Sequence, residues 1–289
     1  MNAHRVLFSS VLFLIANLSL AQGPAPGWAE VDKTLGRPGT VQNDVYKVTF
    51  PRSDLNVKVG DVKVQAGVAL TSWIAMRPIG TDVVADGDLV LTSDEVNAVM
   101  SALQEHSLEI TALHNHLIGE EPQVYYMHFY GRGAIQTIAQ GLRAVLDKSK
   151  TPISVPPPAG PVKSWDTAAV EKVLGTRGKL SGAVLGFAFP RSHPISMHQQ
   201  TMTPAMGMAT AMNFQPLDGD GVAASGDFVL RENEVNPVLA ALRKNGILVT
   251  AVHNHMLDDE PRMVFVHFWA TGPAENVAKG LRDALDKTK

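Results

Sequence analysis

The sequence predicts an α+β fold made twice, with each copy an antiparallel sheet carrying packed helices. Three observations predict it. Short motifs recur at one fixed spacing along the chain. A proline-rich stretch separates the two sets. Each set ends in the same order of strand-like and helix-like periodicities.

The recurrence is direct. Phe50-Pro51-Arg52-Ser53 returns as Phe189-Pro190-Arg191-Ser192, and Gly87-Asp88 as Gly226-Asp227. Glu95-Val96-Asn97 returns as Glu234-Val235-Asn236, His114-Asn115-His116 as His253-Asn254-His255, and Gly141-Leu142-Arg143 as Gly280-Leu281-Arg282. Every pair is 139 positions apart. Between the sets, residues 151–161 carry five prolines, a composition that favours an extended, semi-rigid linker. The predicted units are a first repeat over 28–150, the linker over 151–161 and a second repeat over 162–289.

The start of the chain has another character. His4 and Arg5 precede an apolar run from Val6 to Leu20, and Ser19-Leu20-Ala21 provides small residues for cleavage. This pattern predicts a signal peptide over 1–21 and an exported chain, periplasmic or secreted. The absence of cysteine excludes disulfides, thiolate ligands and lipid attachment through cysteine. No later segment is apolar for long enough to suggest a membrane span, so no stable anchor is expected after cleavage. The net charge of −3 argues against a nucleic-acid surface, which needs basic excess.

Within the first copy, Trp28 to Leu35 reads as a helix stopped by Gly36 and Pro38. Val45–Phe50, Val57–Val64 and Gly67–Met76 read as strands, with Asp88–Leu91 as a short one. Asp88 and Asp227, each following glycine, read as turn formers. Thr92 then caps a helix to about His106, with Glu95 completing a capping box. Leu108–Leu117 and Val124–Gly131 are strands on either side of a turn at Pro122. Ala134–Leu146 is amphipathic, with Ile135, Ile138, Leu142, Val145 and Leu146 on one face. Gly141 and Gly280 interrupt this last helix in each copy, which predicts close packing on the sheet. Arg52 and Arg191 are expected to form internal salt bridges. Met197, Met202, Met206, Met208 and Met212 crowd one stretch of the second copy; methionine fills irregular cores, and Cu(I) handling is the alternative.

The chemistry gathers in one motif. Six of the ten histidines are His114, His116 and His128 with their counterparts His253, His255 and His267. Residues two apart on a strand share a face, so His114 and His116 project together and Asn115 and Asn254 point away. A hairpin centred on Pro122 sets His128 opposite His116, and one centred on Pro261 sets His267 opposite His255. Glu121 and Glu260 stand beside each cluster as a fourth ligand or as a general base acting on metal-bound water. Three imidazoles and a carboxylate suit a divalent transition metal: zinc first, with copper, manganese, iron or nickel as alternatives. Tyr126 and Tyr130 share the face of His128 and become Phe265 and Trp269 in the second copy.

The H-N-H…E-P…H segment, the G-L-R-x-x-L-D-K helix and the paired copies resemble the LppY/LpqO family of exported bacterial proteins. The resemblance covers nearly the whole mature chain. It implies export and implies no activity. That family is named for lipoproteins, and this chain lacks a cysteine to carry the lipid. The functional expectation is a metal-binding exported protein acting on a metal or small-molecule ligand. The alternatives are a metal-dependent hydrolase or lyase with Glu121 or Glu260 as base, and a metal-free envelope-binding module in which the histidines brace a hairpin.

Overall fold

The computed structural model describes residues 27–154 and 165–288. The signal-peptide segment and most of the proline-rich linker lie outside the described residues. The first copy comprises α1 (Trp28–Leu35), β1 (Thr40–Gln42), β2 (Val45–Pro51), β3 (Lys58–Val59), β4 (Val62–Lys63), α2 (Ala66–Ala69), β5 (Thr71–Ile79), β6 (Asp82–Thr92), α3 (Ser93–Glu105), β7 (Glu109–His114), β8 (Glu120–Glu121), β9 (Val124–Gly133) and α4 (Ile135–Leu146). The second comprises α5 (Ala168–Leu174), β10 (Lys179–Ser181), β11 (Val184–Pro190), β12 (Ile195–Met197), β13 (Gln200–Met202), a 3-10 turn at Pro204–Met206, β14 (Ala209–Pro216), β15 (Gly221–Leu230), α6 (Glu232–Lys244), β16 (Leu248–His253), β17 (Asp259–Glu260), β18 (Val264–Pro273) and α7 (Ala274–Leu285).

Each copy holds a six-stranded sheet. The orders β1-β2-β5-β6-β9-β7 and β10-β11-β14-β15-β18-β16 are the same, and all pairings are antiparallel. Strand alternation divides the residues between two faces. Phe50, Ile74, Leu89, Leu91 and Phe129 point to one face, where Leu35, Val99, Leu103, Leu142 and Val145 of the helices cover them. The helix start is secured as the sequence predicts: the Glu95 carboxylate accepts the Thr92 backbone N–H at 2.9 Å. Glu234 does the same for Arg231 at 2.8 Å.

The opposite face of each sheet meets the other copy. Here the two repeats exchange arms. Val57, Val64, Val68 and Leu70 of the first copy pack on Val184, Ala223 and Trp269 of the second. Met197, Met202, Met206 and Met208 of the second pack with Val45, Val84 and Tyr130 of the first. Gln65 N donates to Gln215 Oε1 at 2.8 Å, and Gln215 Nε2 donates to the Lys63 carbonyl at 2.8 Å. The predicted strand over Val57–Val64 is a tight hairpin, β3–β4, and Gly67–Met76 begins as the short helix α2. Both lie on this arm, where contacts with the other repeat decide the conformation.

Two glycine expectations change. Gly87 and Gly226 are in mid-strand, so Asp88 and Asp227 are strand residues and not turn formers. A β-carbon at Gly226 would stand 1.9 Å from the Ala211 carbonyl oxygen, and one at Gly87 would stand 2.4 Å from the Trp73 carbonyl oxygen. Glycine is there to let adjacent strands approach. Gly226→Ala is expected to cost about 3 kcal/mol, the upper range for overpacking, measured as a lowered urea midpoint. Gly141 and Gly280 pack on the end of the preceding helix and not on the sheet: a β-carbon would meet His106 Cβ at 3.0 Å and Asn245 Cβ at 2.8 Å.

Candidate metal centre between the repeats

The six clustered histidines form one chamber. Their three closest ring pairs each join the two copies: His114 with His253 at 3.8 Å between centroids, His116 with His267 at 3.7 Å, and His128 with His255 at 3.8 Å. His114 meets its own counterpart. His116 meets the counterpart of His128, and His128 meets that of His116. A pseudo-two-fold axis between the repeats produces this pairing.

The local chain explains how each ring arrives. His128 is on β9 and His267 on β18, each one strand in from the edge of its sheet. His114 and His253 end β7 and β16. His116 and His255 lie just beyond those strand ends. Asn115 and Asn254 point away from the cluster, as the sequence predicts, and they shape the turn. Asn115 Nδ2 donates to the carbonyls of Leu117 at 2.8 Å and Thr250 at 3.0 Å, and Asn254 Nδ2 to that of Met256 at 2.8 Å. Thr250 also donates its hydroxyl to the His116 carbonyl at 2.6 Å, tying this turn to the other repeat.

The predicted register differs. His128 lies opposite Ala112, and His114 opposite Tyr126, with a bulge between Ile110 and Ala112. The hairpin is not centred on Pro122, because the intervening chain leaves it to form β8 against β3. The shift moves the partner of His128 by four residues. An even shift preserves the face, so convergence survives.

The carboxylates also differ. Glu121 and Glu260 are exposed and belong to the short outer strands, where they pair with Lys58 and Ser196. They are not brought to the imidazoles. Asp88 and Asp227 are. Asp88 is directly opposite His128 on the adjacent strand, and Asp227 opposite His267. Asp88 Oδ2 lies 3.7 Å from His116 Nε2 and 3.8 Å from His128 Nε2. Asp227 Oδ1 lies 3.4 Å from His267 Nδ1. The clue was in the sequence: a charged residue alternating with Leu89 and Leu91, written at the same place in both copies.

Hydrogen bonding sets the tautomers. Nδ1 of His114, His253 and His267 faces the carbonyls of Asn115 at 3.2 Å, Asn254 at 3.0 Å and Gly226 at 3.3 Å. His128 makes the corresponding bond to Gly87. A carbonyl only accepts, so these Nδ1 atoms carry the proton and Nε2 presents a lone pair. Among the described residues, the Nε2 atoms of all six histidines are buried without a hydrogen-bond partner, as is Asp88 Oδ1. Each buried orphan costs about 1–3 kcal/mol, so six in one chamber need a shared explanation. A backbone-anchored Nδ1–H with a free Nε2 is the arrangement that orients a histidine ligand.

Ligand atoms of His114, His253, His255 and His267 lie within 4.8 Å of one another, and so do those of His116, Asp227 and His267. Burial, reinforced by neighbouring imidazoles, holds His114, His116, His128 and His255 well below the ordinary histidine range. The same causes lower His253 to about 4. These five rings are therefore neutral, as metal ligands must be. Burial pushes Asp88 up, with Asp227 adding to the shift and Lys47 opposing it. Lys47 is itself lowered to about 8 by burial against the pull of Asp86, Asp88 and Asp227. Its ammonium lies 3.8 Å over the Trp73 ring.

Aromatic rings close the chamber. Tyr126 stacks on His116 at 3.7 Å and Phe265 on His255 at 3.6 Å. Met197, Met206, Met208 and Met256 form an apolar wall beside His128 and His255, which places the methionines in the core. A cavity of about 1260 Å³ between the sheets reaches Lys47, Asp88, His116, His128, Asp227 and His255.

A family model described as Domain of Unknown Function (DUF1259) matches residues 29–148 and again 168–287. The chain belongs to this family, with two tandem copies of its domain. Every residue of the chamber falls within those matched segments. A comparison with curated proteins finds no match. Among solved structures, the trimeric bacterial microcompartment shell protein PduB is similar at 10% identity, with 86% of this chain and 88% of that chain covered and a TM-score of 0.22. EtuB from Clostridium kluyveri is similar at 8% identity, with 86% and 90% covered and a TM-score of 0.20. Neither likeness bears on the function of this chain.

The unligated chamber has a pH signature. His114, His116, His128, His253 and His255 titrate lower when folded than the ordinary value of about 6.5, so the unfolded chain binds protons first as pH falls. Stability is full above that value and is lost as pH falls toward the folded values, about 4 for His253. Metal-free protein is expected to lose about 1.4 kcal/mol per pH unit for each imidazole kept neutral, read as a falling Tm between pH 7 and 5.

Proposed function

We propose that this protein is an exported, LppY/LpqO-like metal-binding protein that holds a divalent transition metal between its two repeats. The observation that supports this most is the set of six buried Nε2 atoms converging without hydrogen-bond partners among the described residues. Zinc is the first candidate, because it accepts imidazole and carboxylate in compact geometry. Copper, manganese and iron also fit imidazole-rich donors. The ligands come from His114, His116, His128, His253, His255 and His267, with Asp88 and Asp227 in the places first expected for Glu121 and Glu260. The signal-peptide pattern supports export. Among the described residues, no helix is long and apolar enough to cross a membrane.

The test is metal content of the mature protein, purified without affinity tag or chelator. At least one equivalent of transition metal per chain is expected. Metal-free protein that takes up none of zinc, copper, manganese or iron would remove the proposal and leave the histidines as structure.

The cavity favours a second reading, a metal-dependent hydrolase or lyase on a small substrate, since it reaches both carboxylates and three of the histidines. Cobalt substitution separates the two. A small chelating anion such as acetohydroxamate should change the visible spectrum of an open, catalytic site while the metal stays bound. An unchanged spectrum means a closed site.

A further inference from the structure

We infer that the chamber takes two divalent transition-metal ions, one held by His114, His253 and His255 and the other by His116, His267 and Asp227. This rests on the metal-binding reading and goes beyond it in number, partition and ligand class.

The donor count carries the inference first. Six imidazoles and two carboxylates converge, and a first-row ion uses four to six donors. One ion leaves at least two donors unused. Those donors would remain buried without partners, at about 1–3 kcal/mol each. No described residue serves them, since Nε2 is partnerless in all six rings.

The spatial grouping carries it second. Among the described residues the close sets are two, not one: His114, His253, His255 and His267, and separately His116, Asp227 and His267. Only His267 belongs to both, so it must be assigned to one ion. Given to the second set, it completes two histidines and a carboxylate, while the first set keeps three histidines. Each is a recognised metal-ligand set with room for an outside ligand. Asp88 Oδ2, 3.7 Å from His116 Nε2 and 3.8 Å from His128 Nε2, brings these two remaining donors beside the second ion, so none is left over.

The pseudo-symmetry carries it third. A single ion on the axis would call equally on both repeats. The sets are instead unequal, and so are their surroundings. Lys47 and Asp86 of the first copy correspond to Gly186 and Ser225 of the second. Paired ions in unlike environments can activate a nucleophile on one and orient a substrate on the other.

The experiment is native mass spectrometry of the whole mature chain during zinc titration, with Asp227→Asn beside it. Two ions per wild-type chain are expected, falling to one in Asp227→Asn, because an amide is a poor replacement for the carboxylate. Circular dichroism and a retained first ion verify that the variant is folded. Saturation of the wild type at one ion would overturn the two-ion inference and leave metal binding standing. No bound ion at all would overturn the metal-binding reading itself. Two ions in a folded Asp227→Asn would overturn this partition of the ligands.

Discussion

Joint replacement of His114 and His253 by alanine is expected to weaken binding of the first of the two ions at least tenfold, so that at limiting concentration the chain holds one ion instead of two. These two rings face each other across the pseudo-axis at 3.8 Å. Losing both removes one imidazole from each repeat and takes two members from the four-histidine set. Removing ligands rather than their supports gives the largest effect on affinity. The variant should still fold without metal. It deletes two buried Nε2 atoms that lack partners, which offsets part of the packing and Nδ1 bonding lost with the rings. The same pair should remove the share of thermal stabilisation that the first ion gives the parent. Binding at a thousandfold excess over Kd contributes about 4 kcal/mol. Inductively coupled plasma mass spectrometry and thermal melts with and without zinc read both effects. Undiminished metal in a folded double variant would place the site elsewhere.

The largest loss of stability is expected at Arg52. Its side chain is fully buried (0% exposed) and reaches Glu95 at 2.8 Å, Asp54 at 2.9 Å and the Val90 carbonyl at 2.6 Å. The Arg52 guanidinium holds Glu95 below the usual carboxylate range despite burial. Glu95 in turn caps α3 and accepts the Lys150 backbone N–H at 2.7 Å. One guanidinium thus joins β2, β6, α3 and the end of the first repeat. Arg52→Ala leaves a buried carboxylate without its cation and should cost about 3–5 kcal/mol. Guanidinium denaturation measures it. A loss below about 1 kcal/mol would mean that water reaches Glu95. Arg191→Ala removes the equivalent contact with Glu234, 2.8 Å long. Asp54 has His193 as its counterpart, so a smaller loss is expected there.

Much of this was legible from residues alone. The repeat, the α+β order, the first helix at Trp28–Leu35, the capping role of Glu95 and the ion pair of Arg52 all follow from local spacing and elementary chemistry. Local signals suffice where the cause is local: a cap needs residues three apart, and a strand face needs parity. The histidine motif was legible for the same reason. Parity alone assigned His128 to the right face even though its partner along the strand was not the one expected.

The rest depended on contacts between the copies. The sequence by itself determined that each repeat would present three imidazoles. Only the tertiary structure decided that the six form one chamber, because no spacing within a repeat records how its sheet meets another. It also decided which carboxylates join them. Glu121 and Glu260 are nearest in the chain, but their strands pair outward. Asp88 and Asp227 are distant in the chain, yet each is set beside a histidine by pairing of adjacent strands. Sequence distance limits what a turn can bring together; sheet register has no such limit, and in this protein the register built the site.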